Sequence, residues 1–275
     1  MKGLNGGEGF LKSGGWCLRT KGRPGDPYDV VRESNGQSYF LPHPHLAPDS
    51  AIVDFLTRLL KTCRDPPACQ THQFLSLNDF GAGVGQYGRA ILARDPRYRF
   101  FGYDGAGNVE EVSKGFVRFF DLTTPLSLPR ADWLMSLEVG EHIPPQHELA
   151  VIRNLHAHNC RGMILSWAYL KKVGVGHVNN HSPRYLIRLL DELGYEHDKA
   201  VSFQLQARRN KHDGSVPAVD YTPSLTNCST GQRGGHGCGP KRLIGVRNVS
   251  REWFWLKSVN VFRRREPLRG GECTP

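Results

Sequence analysis

The stretch that decides the fold is residues 78–88, which read NDFGAGVGQYG. Its first residues end the segment 74–80, whose apolar residues predict a strand. Its last residues begin the segment 84–94, whose pattern predicts a helix. Glycines in such a turn allow a ligand to approach the backbone, and the helix start supplies free N–H groups. Asp104 lies 21 residues after Gly83, at the end of the next predicted strand, where a carboxylate can accept hydrogen bonds from a ribose diol. The sequence therefore predicts a site for a cofactor that contains a nucleoside.

The glycine turn matches two patterns that predict different cofactors. Residues 83–88 fit G-x-G-x-x-G, the dinucleotide fingerprint, which would indicate an NAD(P)-dependent oxidoreductase. Residues 79–85 fit D-x-G-x-G-x-G, which resembles motif I of the class I S-adenosylmethionine-dependent methyltransferases.

Four further blocks resemble the methyltransferases: YDG at 103–105, FDL at 120–122, SLEVGEHIP at 136–144 and WLKSVNVFR at 255–263. In that order, they resemble the acidic end of the second strand, the loop beside the adenine, the motif after the fourth strand and the closing antiparallel strand. The resemblance covers residues 46–206 and 251–264. Gly140 departs from it, because a larger residue is more usual at that position.

The resemblance implies a Rossmann-like seven-stranded α/β sheet, mostly parallel with an antiparallel last strand and with helices on both faces. It also implies S-adenosyl-L-methionine as the cofactor. Asp104 would hold the ribose, Asp121 and Leu122 would face the adenine, and Asp79 would orient the turn or receive the ammonium group. The complete predicted cofactor set is Asp79, Gly81, Ala82, Gly83, Gly85, Asp104, Gly105, Asp121, Leu122 and Glu138.

The predicted catalytic residues are Glu138, Glu141 and His142, which lie beyond the end of a strand, where ligands bind in open parallel sheets. His142 could remove a proton from an acceptor hydroxyl or amine near neutral pH, or it could only orient its loop. His177 and Asn179 follow the next predicted strand and could line the same mouth. The acceptor atom is expected to be oxygen or nitrogen, with a small molecule favoured.

Strand and helix patterns alternate along most of the chain, which predicts a parallel sheet covered on both faces. The predicted strands are 74–80, 99–103, 117–122, 132–139, 162–168, 201–206 and 253–262, and the predicted helices are 50–63, 84–94, 108–114, 147–158 and 182–193. The helix over 147–158 is expected to bury Leu149, Ile152 and Leu155 on one face.

Changes in composition suggest the segment boundaries. Residues 1–45 are interpreted as a partly flexible N-terminal extension, and residues 46–264 as the methyltransferase domain. Residues 207–251 are rich in glycine, proline and basic side chains, which predicts a mobile insertion. Residues 265–275 are interpreted as a basic C-terminal tail, although its two arginines are matched by two glutamates.

The composition excludes several classes of protein. Hydrophobic residues make up 39% of the 275, which excludes a wholly disordered chain. No apolar stretch approaches the roughly 20 residues of a membrane span, and no secretory signal is seen, so we expect a cytoplasmic protein. The seven cysteines are irregularly spaced, which favours reduced thiols. Cys228, His236 and Cys238 do not match the usual zinc spacings, and no metal site is predicted.

The net charge of +10 is unevenly distributed, since eight of the ten net positive charges lie in residues 207–275. A basic tail makes nucleic acid a possible but less favoured partner, because a basic face with interleaved aromatic residues would be expected for it. Two alternatives to the methyltransferase remain. One is the NAD(P)-dependent oxidoreductase, and the other is a non-catalytic relative that keeps the fold as a binding module.

Overall fold

The central element of the fold is a seven-stranded sheet. The structure is a computed structural model that describes residues 29–32, 38–41, 48–59, 75–170, 176–207, 227–231, 235–239 and 258–268. The strands are β1 (Asp29–Arg32), β2 (Ser38–Leu41), β3 (Ser76–Phe80), β4 (Arg99–Asp104), β5 (Val117–Phe119), β6 (Ala131–Leu137), β7 (Asn159–Ser166), β8 (Tyr195–His197), β9 (Asn227–Gly231), β10 (Gly235–Gly239) and β11 (Asn260–Arg264). Two antiparallel hairpins, β1–β2 and β9–β10, are separate from the central sheet.

The order of strands across the central sheet is β5-β4-β3-β6-β7-β11-β8. The five strands from β5 to β7 pair in parallel, and β11 is antiparallel to both of its neighbours. The Rossmann-like arrangement and the antiparallel last strand are therefore confirmed. From β3 the chain proceeds outward to β4 and β5, and it then returns to β6 on the other side of β3. Ligands of open parallel sheets bind at such a switch point, outside the carboxyl ends of the strands.

Helices cover both faces of the sheet, as predicted. They are α1 (Ser50–Leu59), α2 (Gln86–Arg94), α3 (Val109–Ser113), α4 (Glu148–Ala157), α5 (Pro183–Glu192) and α6 (Lys199–Ala207). Side chains of α1, α2 and α6 share one apolar cluster with Trp133 and Val261, whereas α4 and α5 pack with Leu134 and Phe262. Successive side chains of a strand point to opposite faces of the sheet. Adjacent residues of β6, and likewise of β11, therefore pack in the cores on opposite faces.

The predicted strand over residues 201–206 is wrong, because these residues lie in α6. Asp198 caps this helix, since the Val201 N–H donates to its Oδ1 at 3.0 Å. Phe203 is 71% exposed, although strand-like alternation would have buried it with Leu205. The strand that completes the sheet is instead β8, which has only three residues.

Other boundaries move by a few residues. Leu149 is 58% exposed, and Val151 takes its predicted place in the core beside Ile152 and Leu155. The last strand begins at Asn260, while residues 253–257 of the predicted strand lie outside the described residues. The first helix is described as far as Leu59.

Cys160, buried at the start of β7, forms a disulfide bond, so the expectation of reduced thiols is wrong for this residue. Within the described residues, no helix is long and apolar enough to cross a membrane. The domain limits and the mobility of residues 207–251 stay predictions, because much of residues 1–45 and 207–251 lies outside the described part.

We predict that Gly162→Ala destabilises the sheet. A Cβ built on Gly162 would overlap the main-chain oxygen of Phe262 on β11, and a backbone atom cannot rotate away. Overpacking of this kind costs about 1–3 kcal/mol, measurable by urea unfolding. Glu196→Ala, an exposed change on neighbouring β8, serves as the control and should stay within about 0.5 kcal/mol of the wild type. If Gly162→Ala is as stable as the control, β7 and β11 do not pair this closely.

Candidate cofactor and acceptor site

The glycine turn between β3 and α2 requires left-handed backbone at three positions. The φ angles of Gly81, Gly83 and Gly85 are 87°, 58° and 83°. The N–H groups of Gly81 and Ala82 donate to the Tyr103 carbonyl at 2.8 and 2.9 Å. The turn therefore folds back onto the end of β4, in a backbone conformation that residues with a Cβ adopt only at a cost.

Asp104, at the end of β4, clamps this turn. Its Oδ2 accepts the Gly83 N–H at 2.8 Å, and its Oδ1 accepts the Ala106 N–H at 2.8 Å. Burial raises the pKa of Asp104 to about 6, although the two N–H groups act in the opposite direction. Each carboxylate oxygen has a second lone pair, so the clamp leaves acceptor capacity for a ligand. Gly105 leads away from the clamp and is partly exposed.

Asp79, near the end of β3, is 3% exposed. Its Oδ2 is buried and has no hydrogen-bond partner among the described residues. Burial raises the pKa of Asp79 well above its ordinary value, and the nearby Asp104 raises it further. A buried carboxylate in this situation favours a cationic group placed against it, because the cation offsets the cost of desolvation.

The loop after β5 lies beside the end of β4, since the Phe120 N–H donates to the Asp104 carbonyl at 2.9 Å. Asp121 Oδ1 accepts both the N–H of Thr123 at 2.9 Å and its Oγ1 hydroxyl at 2.6 Å. The side chain of Leu122 is buried in the core. The loop with Asp121 and Leu122 therefore lies beside the end of β4, and Asp121 uses one oxygen to form its own turn; contact with the adenine stays a prediction.

Glu138 lies directly after β6 and has a φ of 55°, which is unusual for a residue with a side chain. Its N–H donates to Ser166 Oγ at 2.8 Å, and its Oε1 accepts the Ser258 hydroxyl at 3.0 Å. These bonds tie the end of β6 to the end of β7 and to the residue two before β11. Strained backbone held by its surroundings is common at functional sites.

The loop after β6 packs directly on the glycine turn. A Cβ built on Gly81 would overlap Val139 Cγ2. Gly140 lies against the Trp167 ring, which a Cβ at that position would also overlap. Trp167 therefore explains the departure at Gly140, because the indole fills the space that a larger residue would need.

Glu141, His142 and His177 come together beyond β6 and β7. One potential ligand atom of each lies within 4.8 Å of the others. The two imidazole centroids are 4.9 Å apart with their planes nearly perpendicular, and Glu141 is fully buried. The N–H groups of Val178 and Asn179 donate to the Glu141 carbonyl at 2.8 and 3.1 Å, which holds the two loops together. His177 therefore lies beside Glu141 and His142, whereas Asn179 is buried and Glu138 lies outside this group of three. That these residues line an acceptor mouth stays a prediction.

Trp167 and Glu148, the second of which the sequence did not indicate, frame the His177 loop. The Glu148 carboxylate accepts hydrogen bonds from Asn179 Nδ2 at 2.9 Å and from the Tyr185 hydroxyl at 2.5 Å. It also contacts His181 Nε2 at 2.6 Å. Burial alone would raise the pKa of Glu148, but these hydrogen bonds outweigh it and leave the pKa lowered. The Trp167 indole N–H donates to the Asn179 carbonyl at 2.5 Å. No local pattern announces such contacts, since the partners lie 12 to 37 residues apart.

Comparison with known proteins gives structural likenesses only. No family model matches the chain, and no curated protein matches it in sequence. Magnesium protoporphyrin IX methyltransferase from Synechocystis PCC 6803, with bound SAH, is 20% identical over 54% of this chain and 74% of its own, with a TM-score of 0.40. A putative methyltransferase from an antibiotic biosynthesis pathway of Anabaena variabilis is 17% identical over 55% and 64%, also with a TM-score of 0.40. The DszA carbon methyltransferase is 16% identical over 53% and 46%, with a TM-score of 0.42.

At such identities and TM-scores these likenesses assign no activity to the chain. The class of fold is established by the strand order itself, which is Rossmann-like with an antiparallel last strand. The site is defined by the two loops at its switch point.

We predict that Gly81→Ala destabilises the protein more than Gly115→Ala. Both glycines have a similar positive φ, 87° and 77°, but a Cβ on Gly115 would meet nothing within 4 Å. The matched control therefore carries only the left-handed backbone cost of about 1–2 kcal/mol, whereas Gly81→Ala adds the overlap with Val139. Adding Val139→Ala to Gly81→Ala should recover part of the loss in urea unfolding. Equal losses in the two single variants would contradict the contact between turn and loop.

Proposed function

We propose that the protein transfers a methyl group from S-adenosyl-L-methionine to an acceptor oxygen or nitrogen. The observation that carries the proposal is the pair of carboxyl groups at the switch point, Asp104 at the end of β4, which clamps the glycine turn, and the buried Asp79 near the end of β3. S-adenosylmethionine presents a ribose diol, an ammonium group and a sulfonium, and the site offers acceptors and negative charge for them.

The residues present fit this cofactor. Asp104 retains lone pairs for the ribose hydroxyls, and Asp79 Oδ2 suits the ammonium group, either directly or through water. The glycines at 81, 83 and 85 provide close approach to the backbone. Gly105, Asp121 and Leu122 would border the nucleoside from the neighbouring loops, and Glu138 would border it from the β6 side.

The same carboxylates disfavour the dinucleotide alternative. A dinucleotide places its pyrophosphate over the glycine turn, at the start of the helix. Asp79 lies near the end of β3, two residues before the turn, and its carboxylate would repel phosphate whenever it is ionised. A ligand with positive charge at this point is therefore the better match.

Methyl transfer from a sulfonium needs mainly alignment, because the methyl group is already activated when the cofactor binds. Holding donor and acceptor in line can supply a large part of the rate enhancement. The Val139–Gly81 contact holds the loop with Glu141 and His142 against the glycine turn, which supports placing these residues beside the methyl donor. These residues would meet the acceptor, and a general-base role for His142 stays a prediction.

A small-molecule acceptor is favoured by the charge of the site. Asp104, Glu138 and Glu141 lie at the strand ends and in the loop after β6, and in their ionised forms they would repel a polyanion such as RNA. The basic excess lies instead in residues 207–275. A non-catalytic binding module would keep the cofactor site and show no turnover, so a methyl-transfer assay separates it from an enzyme.

The cytoplasmic location expected from the sequence stays a prediction. The Cys160 disulfide weighs against it, because disulfides are rare in reducing compartments.

We predict that S-adenosylhomocysteine stabilises the protein and that NAD does not. Ligand at a hundredfold excess over Kd adds about 2.7 kcal/mol, which corresponds to a rise in Tm of roughly 5–10 °C for a domain of this size. Asp104→Ala should remove most of the rise, with folding checked by circular dichroism. A shift with NAD and none with S-adenosylhomocysteine would overturn the proposal.

We predict that cofactor affinity falls as the pH drops below about 6, where Asp104 becomes protonated. The ionised carboxylate accepts stronger hydrogen bonds from the ribose than the neutral acid does, and protonation of Asp79 weakens the ammonium contact in the same direction. Calorimetric Kd values should be flat from pH 8 to 7 and rise by up to about tenfold per pH unit below 6.

Asp104→Asn is the matched control for this titration. It should bind more weakly at pH 8 and show a flatter profile between pH 7 and 5. A wild-type profile without any change across pH 6 would remove Asp104 from the cofactor site.

A further inference from the structure

We propose that Glu141, His142 and His177 bind a divalent transition-metal cation, with Zn²⁺ as the first candidate. The metal site stands on the geometry of these residues alone. Its role in methyl transfer rests on the proposed function.

The distances suit a single ion. Zinc binds imidazole nitrogen and carboxylate oxygen at about 2.0–2.2 Å, so two ligands of a tetrahedral site lie about 3.4 Å apart. The candidate ligand atoms already lie within 4.8 Å of one another. We expect rotation of the side chains to close the difference.

The backbone positions the three ligands in advance. Glu141 and His142 are adjacent on a short 3₁₀ turn, Gly140–His142, and the bond from Val178 N–H to the Glu141 carbonyl brings the next loop to them. Asn179 is held in turn by Glu148 and Trp167. A site whose ligands are already ordered loses less conformational entropy when the ion binds.

The ligand set selects the class of ion. Two imidazoles and one carboxylate suit Zn²⁺ and neighbouring first-row ions, whereas Mg²⁺ and Ca²⁺ prefer oxygen ligands. A dication also offsets the cost of burying the Glu141 carboxylate, which is fully buried. Three protein ligands leave a coordination position open for an exchangeable oxygen, as in catalytic zinc sites.

The open position would receive the hydroxyl of the methyl acceptor and lower the pKa of that hydroxyl. The proton leaves to water, and the resulting oxyanion forms a C–O bond with the methyl carbon while the C–S bond breaks. The electron pair of the C–S bond stays on sulfur, which gives the neutral thioether S-adenosylhomocysteine. His142 would then be a ligand and not a general base, and a hydroxyl acceptor is favoured over an amine.

Metal binding is tested on tag-free wild-type protein after dialysis against chelator. Co²⁺ is titrated as a spectroscopic probe, and Zn²⁺ binding is measured by calorimetry. We expect about one ion per chain, visible absorption typical of four- or five-coordinate Co²⁺, and an affinity at least tenfold weaker in His177→Ala. His147→Ala is the matched control, since His147 lies on the adjacent 3₁₀ turn but outside the three ligands. It should bind like the wild type.

Equal affinity in His177→Ala and the wild type, or no binding by the wild type, would overturn the proposal. If His177→Ala does not fold, X-ray absorption of the Zn²⁺-loaded wild type decides instead. Two imidazoles in the zinc shell support the site, whereas sulfur ligands or fewer than two imidazoles overturn it.

Two further measurements distinguish a failure of the metal site from a failure of the proposed function. S-adenosylhomocysteine affinity is measured with and without chelator and should not change, because Asp79 and Asp104 are not ligands. Methyl transfer to a hydroxyl acceptor should stop with chelator and return with Zn²⁺. Transfer that continues without metal overturns the catalytic role, and metal binding without any cofactor binding overturns only the proposed function.

Discussion

The site depends on the carboxylate of Asp104, which holds two segments of backbone at once. One oxygen binds the Gly83 N–H and the other binds the Ala106 N–H, each at 2.8 Å. The glycine turn is thereby fixed to the end of β4, in a left-handed conformation that its glycines alone accept cheaply. Burial of this carboxylate raises the pKa of Asp104 to about 6, so the proposed cofactor site and the clamp share one ionisable group.

Two different chemistries meet across the contact between Gly81 and Val139. On one side lie the carboxyl groups of Asp79 and Asp104, which in the proposed function would hold a cationic nucleoside cofactor. On the other lie Glu141 and the two histidines, which we propose as the ligands of a metal. The sheet topology brings them together, because β3 and β6 are neighbours at the switch point and their following loops must share one edge.

Much of this arrangement could be predicted from the sequence because its determinants are local. The glycine turn follows from φ requirements within five residues, and the position of Asp104 follows from the parallel pairing of β3 and β4. Helix α6 was not predictable from alternation, since Val201 and Leu205 resemble a strand while the Asp198 cap and tertiary packing make a helix.

Contacts between distant loops carry no such local signal. The fit of Gly140 against the Trp167 indole depends on the mutual placement of the loops after β6 and β7. The frame around Glu148 likewise joins residues of α4 and α5 to the loop between β7 and α5. Because such contacts have no local signal, the sequence predicted the glycine turn and Asp104 in more detail than the loops after β6 and β7.

The central claim is that the carboxylates at the switch point hold S-adenosylmethionine, and a crystal structure with S-adenosylhomocysteine tests it most directly. The account predicts both ribose hydroxyls within hydrogen-bond distance of Asp104, the ammonium group near Asp79, and the thioether sulfur facing the loop from Val139 to His142. A nucleoside bound away from Asp104, or a sulfur turned away from that loop, would contradict it.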